Sequence, residues 1–225
     1  MMTQNLRAWL SLAVLAFVMG LLVFGPAGGV WFWQGWTYLA VFLVASALIT
    51  QYLIKNDPAL LERRLKGGPT AEKESAQRLI MLFASLGFVA LLVVPALDHR
   101  FGWSQAPTIV ELAGDALVAG GFFVILFVFK ENSYASSTIG VAEGQTLVST
   151  GPYAIVRHPM YAGALLYLAG TPLALGSYWG FAPLALILPF LIWRLLDEER
   201  VLEKRLPGYS DYRKAVRYRL APGLY

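Results

Sequence analysis

Hydrophobic positions along the chain gather into long runs separated by short polar stretches. Four runs come first: Ala8–Phe24, Trp31–Ile54, Leu79–Leu97 and Leu112–Phe129. Each has the roughly 17–24 residues that an α-helix needs to cross about 30 Å of hydrocarbon. Gly25-Pro26-Ala27-Gly28-Gly29 predicts a tight first turn, and Trp31, Trp33 and Trp36 mark a membrane interface just beyond it. Two shorter runs follow, Met160–Ser177 and Phe181–Leu196. They are interrupted by Pro172, Pro183 and Pro189 and joined by a turn near Gly176–Gly180. They predict a helical hairpin with tilted or kinked halves. The expected fold is all-α: a polytopic membrane helical bundle of five to six segments, the last two as the hairpin. It forms a single unit over residues 1–225, with four spans in 1–130.

The polar stretches are patterned too. In the Lys55–Arg78 loop, Asp57-Pro58 predicts a cap and first turn for a short helix whose Leu60, Leu61 and Leu65 share one face. It reads most simply as an interfacial helix, and otherwise as a wall over a site. The tail from Asp197 to Tyr218 reads as an amphipathic helix broken at Pro207-Gly208. Its Leu202, Leu206, Tyr209, Tyr212 and Val216 are placed to lie on the membrane or on a loop.

Composition sharpens this picture. Only 14% of residues are charged, against about 25% in soluble domains, and mean hydropathy is +0.57. The chain has no cysteine, which excludes disulfides, thiolate metal sites and a cysteine nucleophile. Net charge is +4. Lys and Arg concentrate in the Lys55–Arg78 loop (six) and from Arg194 onward (eight), while the first loop has none. With six crossings, the positive-inside rule puts both termini in the cytoplasm. The charge reports topology rather than nucleic-acid binding. Arg7 followed by Ala8–Phe24 lacks a cleavage site and reads as a first membrane helix, not a signal peptide.

Two polar clusters interrupt the apolar pattern where chemistry is possible. Thr146–Gly163 is turn-rich and carries Arg157-His158-Pro159-x-Tyr161 against the start of an apolar run. Proline suits the first helical position and biases the residue before it away from helix, so a helix is expected to start at Pro159. Its N-terminus, beside Arg157 and His158, is an expected anion seat. The second cluster is Arg194-Leu-Leu-Asp-Glu198-Glu199. Glu198 lies one turn from Arg194, and as an isolated pair the two read simply as a snorkelling arginine and its counter-ion. Taken with an anion seat on the same membrane face, an acidic group suits a ligand bearing both ammonium and carboxylate. A metal site of His158, Glu198 and Glu199 is a weak alternative, since His99, the second of two histidines, falls in the opposite loop. No metal is expected. Gly120-Gly121 with Ala116 reads as a close-packing face, and Glu111 and Asp115 as acids at a helix N-terminus.

These residues carry a resemblance. Glu143-Gly144-Gln145-Thr146-Leu147-Val148, Gly151-Pro152-Tyr153, Arg157-His158-Pro159-x-Tyr161-x-Gly163, Arg194-x-x-x-Glu198-Glu199 and Tyr209-x-x-Tyr212 resemble the isoprenylcysteine carboxyl methyltransferase family of integral membrane proteins. Phospholipid N-methyltransferases are its broader relatives. The likeness covers roughly the C-terminal 40% of the chain. It implies a methyltransferase using S-adenosyl-L-methionine (SAM), with residues 131–225 as the SAM-binding catalytic region on the cytoplasmic face and a cytoplasmic C-terminal helix. It implies a cofactor site of Gln145, Thr146, Leu147, Val148, Tyr153, Arg157, His158, Pro159, Met160, Tyr161, Glu198 and Glu199. Arg194 and Glu198 are the implied catalytic pair, with Arg194 facing the acceptor. Position 145 is glutamine where eukaryotic members often carry histidine. The expected acceptor is lipophilic: the carboxylate of an isoprenoid or prenyl-cysteine-like molecule, or a lipid amine. The competing readings are an NADPH-dependent reductase of the sterol-reductase type and a non-enzymatic membrane protein that keeps the fold.

Overall fold

The computed structural model describes residues 3–67, 72, 74–223 and 225. Among them it is all-helical: α1 (Gln4–Ala27), α2 (Trp33–Asn56), α3 (Pro58–Leu65), α4 (Ser75–Phe101), α5 (Thr108–Glu131), α6 (Pro159–Ala174), α7 (Phe181–Arg205) and α8 (Tyr209–Ala215), with a 3-10 turn at Gly151–Ala154. Helices α1, α2, α4 and α5 are long and apolar enough to span a membrane. All four run past the C-terminal ends of the apolar runs, and α1, α4 and α5 also start before theirs, because hydropathy marks the lipid-facing part of a helix while backbone bonding continues to a cap. Helix α1 starts at Thr3, whose side chain accepts from the Leu6 N–H, and stops at Gly28. Helix α4 stops at Gly102. Both glycines take the left-handed conformation that ends a helix at no steric cost.

The short helices follow their sequence signals. Asp57 caps α3 through the Leu60 N–H at 2.9 Å. Its Leu60 and Leu61 do not lie on a membrane surface: they are buried with Ala8, Leu53 and Val128. Arg63 and Arg64 of α3 then bond the carbonyls of Ser133 and Ala135, so α3 walls the segment after α5. Pro159 is the first residue of α6, preceded by a non-helical His158 (φ −125°, ψ 62°). Helices α7 and α8 are separated at Gly208, which has φ 82°.

Packing corrects one expectation. Close approach of α5 and α6 is made by Gly114 and Gly121 against Gly163 and Gly170, not by Gly120 and Ala116. A Cβ on Gly121 would lie 2.4 Å from the Gly163 carbonyl oxygen, and one on Gly170 2.6 Å from that of Gly114, whereas a Cβ on Gly120 would meet no neighbouring element within 4 Å. Gly121 faces α6; Gly120, one residue on, is turned about 100° away. Although a turn over residues 175–180 joins α6 to α7, each packs mainly elsewhere, α6 on α5 and α7 on α4.

The two ends of the bundle differ. Trp31, Trp36, Trp103 and Trp179 are exposed at one end. There Glu111 accepts from Gln34 at 2.9 Å, tying α5 to α2, Asp98 accepts from Ser104 and Ser177, and His99 stacks on Phe32. At the other end meet both chain termini, α3, α8 and the irregular segment from Asn132 to His158.

Candidate functional site

At that second end, the segment after α5, the start of α6, the polar end of α7 and α8 enclose a cleft of about 730 Å³, open mouth included. Local chemistry shapes its wall. Asn132 bonds back to the Tyr134 N–H and donates to the Tyr153 hydroxyl at 2.9 Å. The Gln145 side chain accepts from the Ala142 N–H, folding the loop onto itself. Tyr212 donates to the Tyr153 carbonyl at 2.7 Å, and Leu206, Tyr209 and Tyr212 pack with Val141, Leu147 and Tyr153. The amphipathic tail therefore lies on the loop rather than on the membrane, completing the cleft.

Of the residues expected to hold a cofactor, Gln145, Thr146, Leu147, Val148, Tyr153, Arg157, His158, Pro159, Met160, Tyr161 and Glu198 line this one cleft. Sequence reasoning missed Asn132, Tyr134, Ala135, Ser136, Thr138 and Gly140 in the same lining. They form no regular element and carry no motif. Tyr209 and Tyr212, which also line it, were visible as the Tyr-x-x-Tyr pair.

Three side chains stand differently from expectation. Glu199 turns away from the cleft. It is buried, and its carboxylate accepts from Arg157 Nε (2.8 Å), His158 Nε2 (3.3 Å) and Arg219 Nε (3.0 Å). Burial alone would raise its pKa, but hydrogen bonds from His158, Arg157 and Arg219 outweigh burial and hold it down at about 2. Arg157 is consequently not a free anion donor: its remaining contacts go to the Val216 and Arg217 carbonyls. The Arg157 and His158 backbone N–H groups bond the Tyr218 and Arg219 carbonyls. An arginine beside a helix start looks like an anion seat, but here its anion is internal and fastens the tail. Arg194, the third, lies outside the lining. Its ion-pair partner is Glu72 at 2.6 Å rather than Glu198 one turn away, and it also donates to Gln77 Oε1 and the Ser137 carbonyl. Glu72 sits far away in sequence, and no spacing signals this pair.

That leaves Glu198 as the carboxylate facing the cleft. Its Oε2 accepts from the Tyr161 hydroxyl at 2.7 Å. The buried Tyr209 hydroxyl has no hydrogen-bond partner. Tyr153 is pushed up to about 12, by burial first and by Glu198 as well, so its phenol stays neutral. Leu147, Val148, Met160, Leu202 and Leu206 supply the apolar remainder. Such a cleft suits a compact molecule with a cationic group for Glu198, polar groups for Tyr209 and an apolar ring system. Its lining basic side chains, Arg157 and His158, are engaged by Glu199, so it offers little to a diphosphate. Among the described residues no group of three or more His, Asp or Glu could hold a metal ion.

The family model described as phospholipid methyltransferase matches residues 110–207, from α5 to the end of α7. Over 72 residues the chain is 38% identical to the protein-S-isoprenylcysteine O-methyltransferase of Schizosaccharomyces pombe, a stretch that is 31% of this chain and 30% of that relative. This C-terminal region, which contains the cleft, is thus similar to phospholipid methyltransferases and to a protein-S-isoprenylcysteine O-methyltransferase, while the chain spans less than a third of that relative's length.

Proposed function

We propose that the protein is an integral membrane methyltransferase that takes its methyl group from SAM and passes it to a lipophilic acceptor. The observation that carries this reading is the joining of Glu198, Tyr161 and the unpartnered Tyr209 hydroxyl with an apolar wall in one cleft. SAM is a small zwitterion with a cationic sulfonium, and these residues match its groups. Glu198 would hold the ammonium, with Tyr161 orienting the carboxylate. The start of α6, at Pro159 and Met160, would take the amino-acid end, Leu147 and Val148 the purine. When bound, SAM supplies an activated methyl group.

The chain's own task is then alignment and exclusion of water, which together can account for most of the acceleration of an in-line displacement. Tyr153 and Tyr161, neutral and aromatic, present ring faces suited to a cation. The loop residues 134–145 and α8 close the cleft from water, while the lipid side of the bundle admits an apolar acceptor laterally. Six crossings, with α6 and α7 as the last pair and both termini in the cytoplasm, would set the cleft where soluble SAM is available. The pairing of Arg157 with Glu199 disfavours the reductase reading, because no lining cation is left for a nucleotide diphosphate.

The test is incubation of the purified protein with methyl-labelled SAM and fractionated membrane lipids. Label is expected in one apolar product, and the structure of that product names the acceptor. Absence of label in every fraction, with SAM bound, would favour a non-catalytic role.

A further inference from the structure

Beside the cleft proposed for SAM lies a second one of about 1050 Å³, whose charged lining residues are Arg63, Lys66, Glu72 and Arg205. The Glu72 carboxylate is spent on Arg194 at 2.6 Å. Lys66 pairs with Glu62 at 2.6 Å in solvent, where such a pair is worth little. Arg63 and Arg205 form no ion pair with any described residue. Arg63 donates through Nη2 to the Ser133 carbonyl and stands 5.7 Å from the centre of the Tyr134 ring, but its buried Nε has no hydrogen-bond partner. Arg205 is exposed at the end of α7. An orphaned guanidinium N–H beside two further cations, with the one lining acid already engaged, is a site short of an anion. Helix α3 starts directly after the α2 span, and Leu60 and Leu61 hold it against Ala8, Leu53 and Val128. Its Arg63 and Lys66 therefore stay level with the ends of the spans instead of projecting into water.

We propose that this second cleft binds the phosphate of an anionic membrane lipid, and that the bound headgroup tightens the first cleft through their common wall. Basic pockets at the end of a helical bundle suit anionic headgroups, because lipid phosphates lie at that depth. Arginine matches a phosphate through two N–H groups at once. Ile139 and Val141, in the same lining, add apolar surface for the glycerol end of the lipid. The coupling follows from the wall. Tyr134, Ser136, Thr138, Gly140 and Gln145 line both clefts, and residues 134–145 form no helix or strand. Ordering such a segment costs conformational entropy. The ligand that binds first carries that cost, so the second binds more tightly, and the effect is equal in both directions. The coupling rests on the SAM reading; the lipid site itself does not.

The test uses the full chain in uncharged detergent micelles, titrated with dioctanoyl phosphatidylglycerol. Zwitterionic dioctanoyl phosphatidylcholine and inorganic phosphate are titrated in parallel, and the thermal midpoint reports binding. Phosphatidylglycerol is expected to raise the midpoint and phosphatidylcholine to leave it in place. Inorganic phosphate that matches phosphatidylglycerol at equal concentration overturns a lipid as the occupant. Arg63→Gln and Arg205→Gln are each expected to weaken phosphatidylglycerol on the order of fivefold. Lys204→Gln makes the same charge change one residue from Arg205, about 100° around α7 and outside the lining, and is expected to change nothing. Equal losses in Lys204→Gln and Arg205→Gln overturn the site in favour of diffuse surface charge, as does no loss in Arg205→Gln. If Arg63→Gln, which gives up Ser133 and Tyr134, does not fold, Arg205→Gln decides alone. SAM titrated with and without saturating phosphatidylglycerol is expected to bind several-fold more tightly with the lipid, and equal affinity overturns the coupling. Wild type that binds no SAM at all removes the SAM reading and the coupling with it, and leaves the lipid comparison standing.

Discussion

At Glu199, burial and pairing pull in opposite directions, and three donors decide the outcome. The carboxylate is held charged by His158, Arg157 and Arg219, and through them it fastens the C-terminal tail beside the cleft. Because its folded pKa is lowered from 4.5 to about 2, its contribution to stability is present above pH 4.5 and is lost as pH falls toward 2. Hydrogen exchange of residues 209–219 should therefore remain protected at mildly acidic pH and open across that window. Glu199→Gln should open the same segment at neutral pH, with a loss on the order of 3–5 kcal/mol for a buried cation left without its partner. Equal protection in variant and wild type would contradict the tether. At this scale the sequence was half legible. Glu198 was readable as an acid one turn from an arginine. The partners that decide each role were not, since Arg219 and Glu72 reach the site from distant segments and follow no periodic spacing.

Helix starts, stops and breaks were the most legible features of the chain. Asp57-Pro58, His158-Pro159 and Pro207-Gly208 each act through local backbone geometry, and the structure has α3, α6 and the α7–α8 break where those residues stand. Which faces of the helices meet was less legible, because inside a lipid-facing bundle every face is apolar. The glycine seam between α5 and α6 illustrates this: Gly120 and Gly121 are adjacent, and only Gly121 is in the contact. Gly121→Val should force α5 away from α6 and lower the detergent thermal midpoint, with a cost of about 1–3 kcal/mol or more from overpacking. Gly120→Ala should leave the midpoint unchanged or raise it slightly, since helix propensity improves at an open position. Equal effects at the two positions would show that the helices do not approach through this seam. Since α6 carries Pro159, Met160 and Tyr161 into the cleft, Gly121→Val should weaken SAM binding as well.

For the whole molecule, Trp31, Trp36, Trp103 and Trp179 are exposed at one end and the cleft, with both termini, lies at the other. The proposed six crossings and cytoplasmic cleft predict opposite accessibility for the two ends. The natural chain has no cysteine, so single cysteines can be introduced without removing any. In intact cells, a membrane-impermeant maleimide should label Gln105→Cys, beyond α4, and should leave Asp211→Cys in α8 unlabelled until the membrane is opened. Labelling of Asp211→Cys from outside would invert the proposed orientation. Residues 110–207 carry the family match, while the N-terminal spans are readable from hydropathy alone, so the region that would receive the acceptor is less constrained by sequence than the region that would hold the donor. The central claim is that the cleft beneath α8 is a SAM site. The most direct test is calorimetric titration of the purified protein with SAM and, separately, with NADPH. Wild type is expected to bind SAM and not NADPH, His158→Ala to bind SAM more weakly, and Glu198→Ala to lose SAM binding while keeping its thermal midpoint. Unchanged SAM affinity in both variants, or binding of NADPH in place of SAM, would contradict the account.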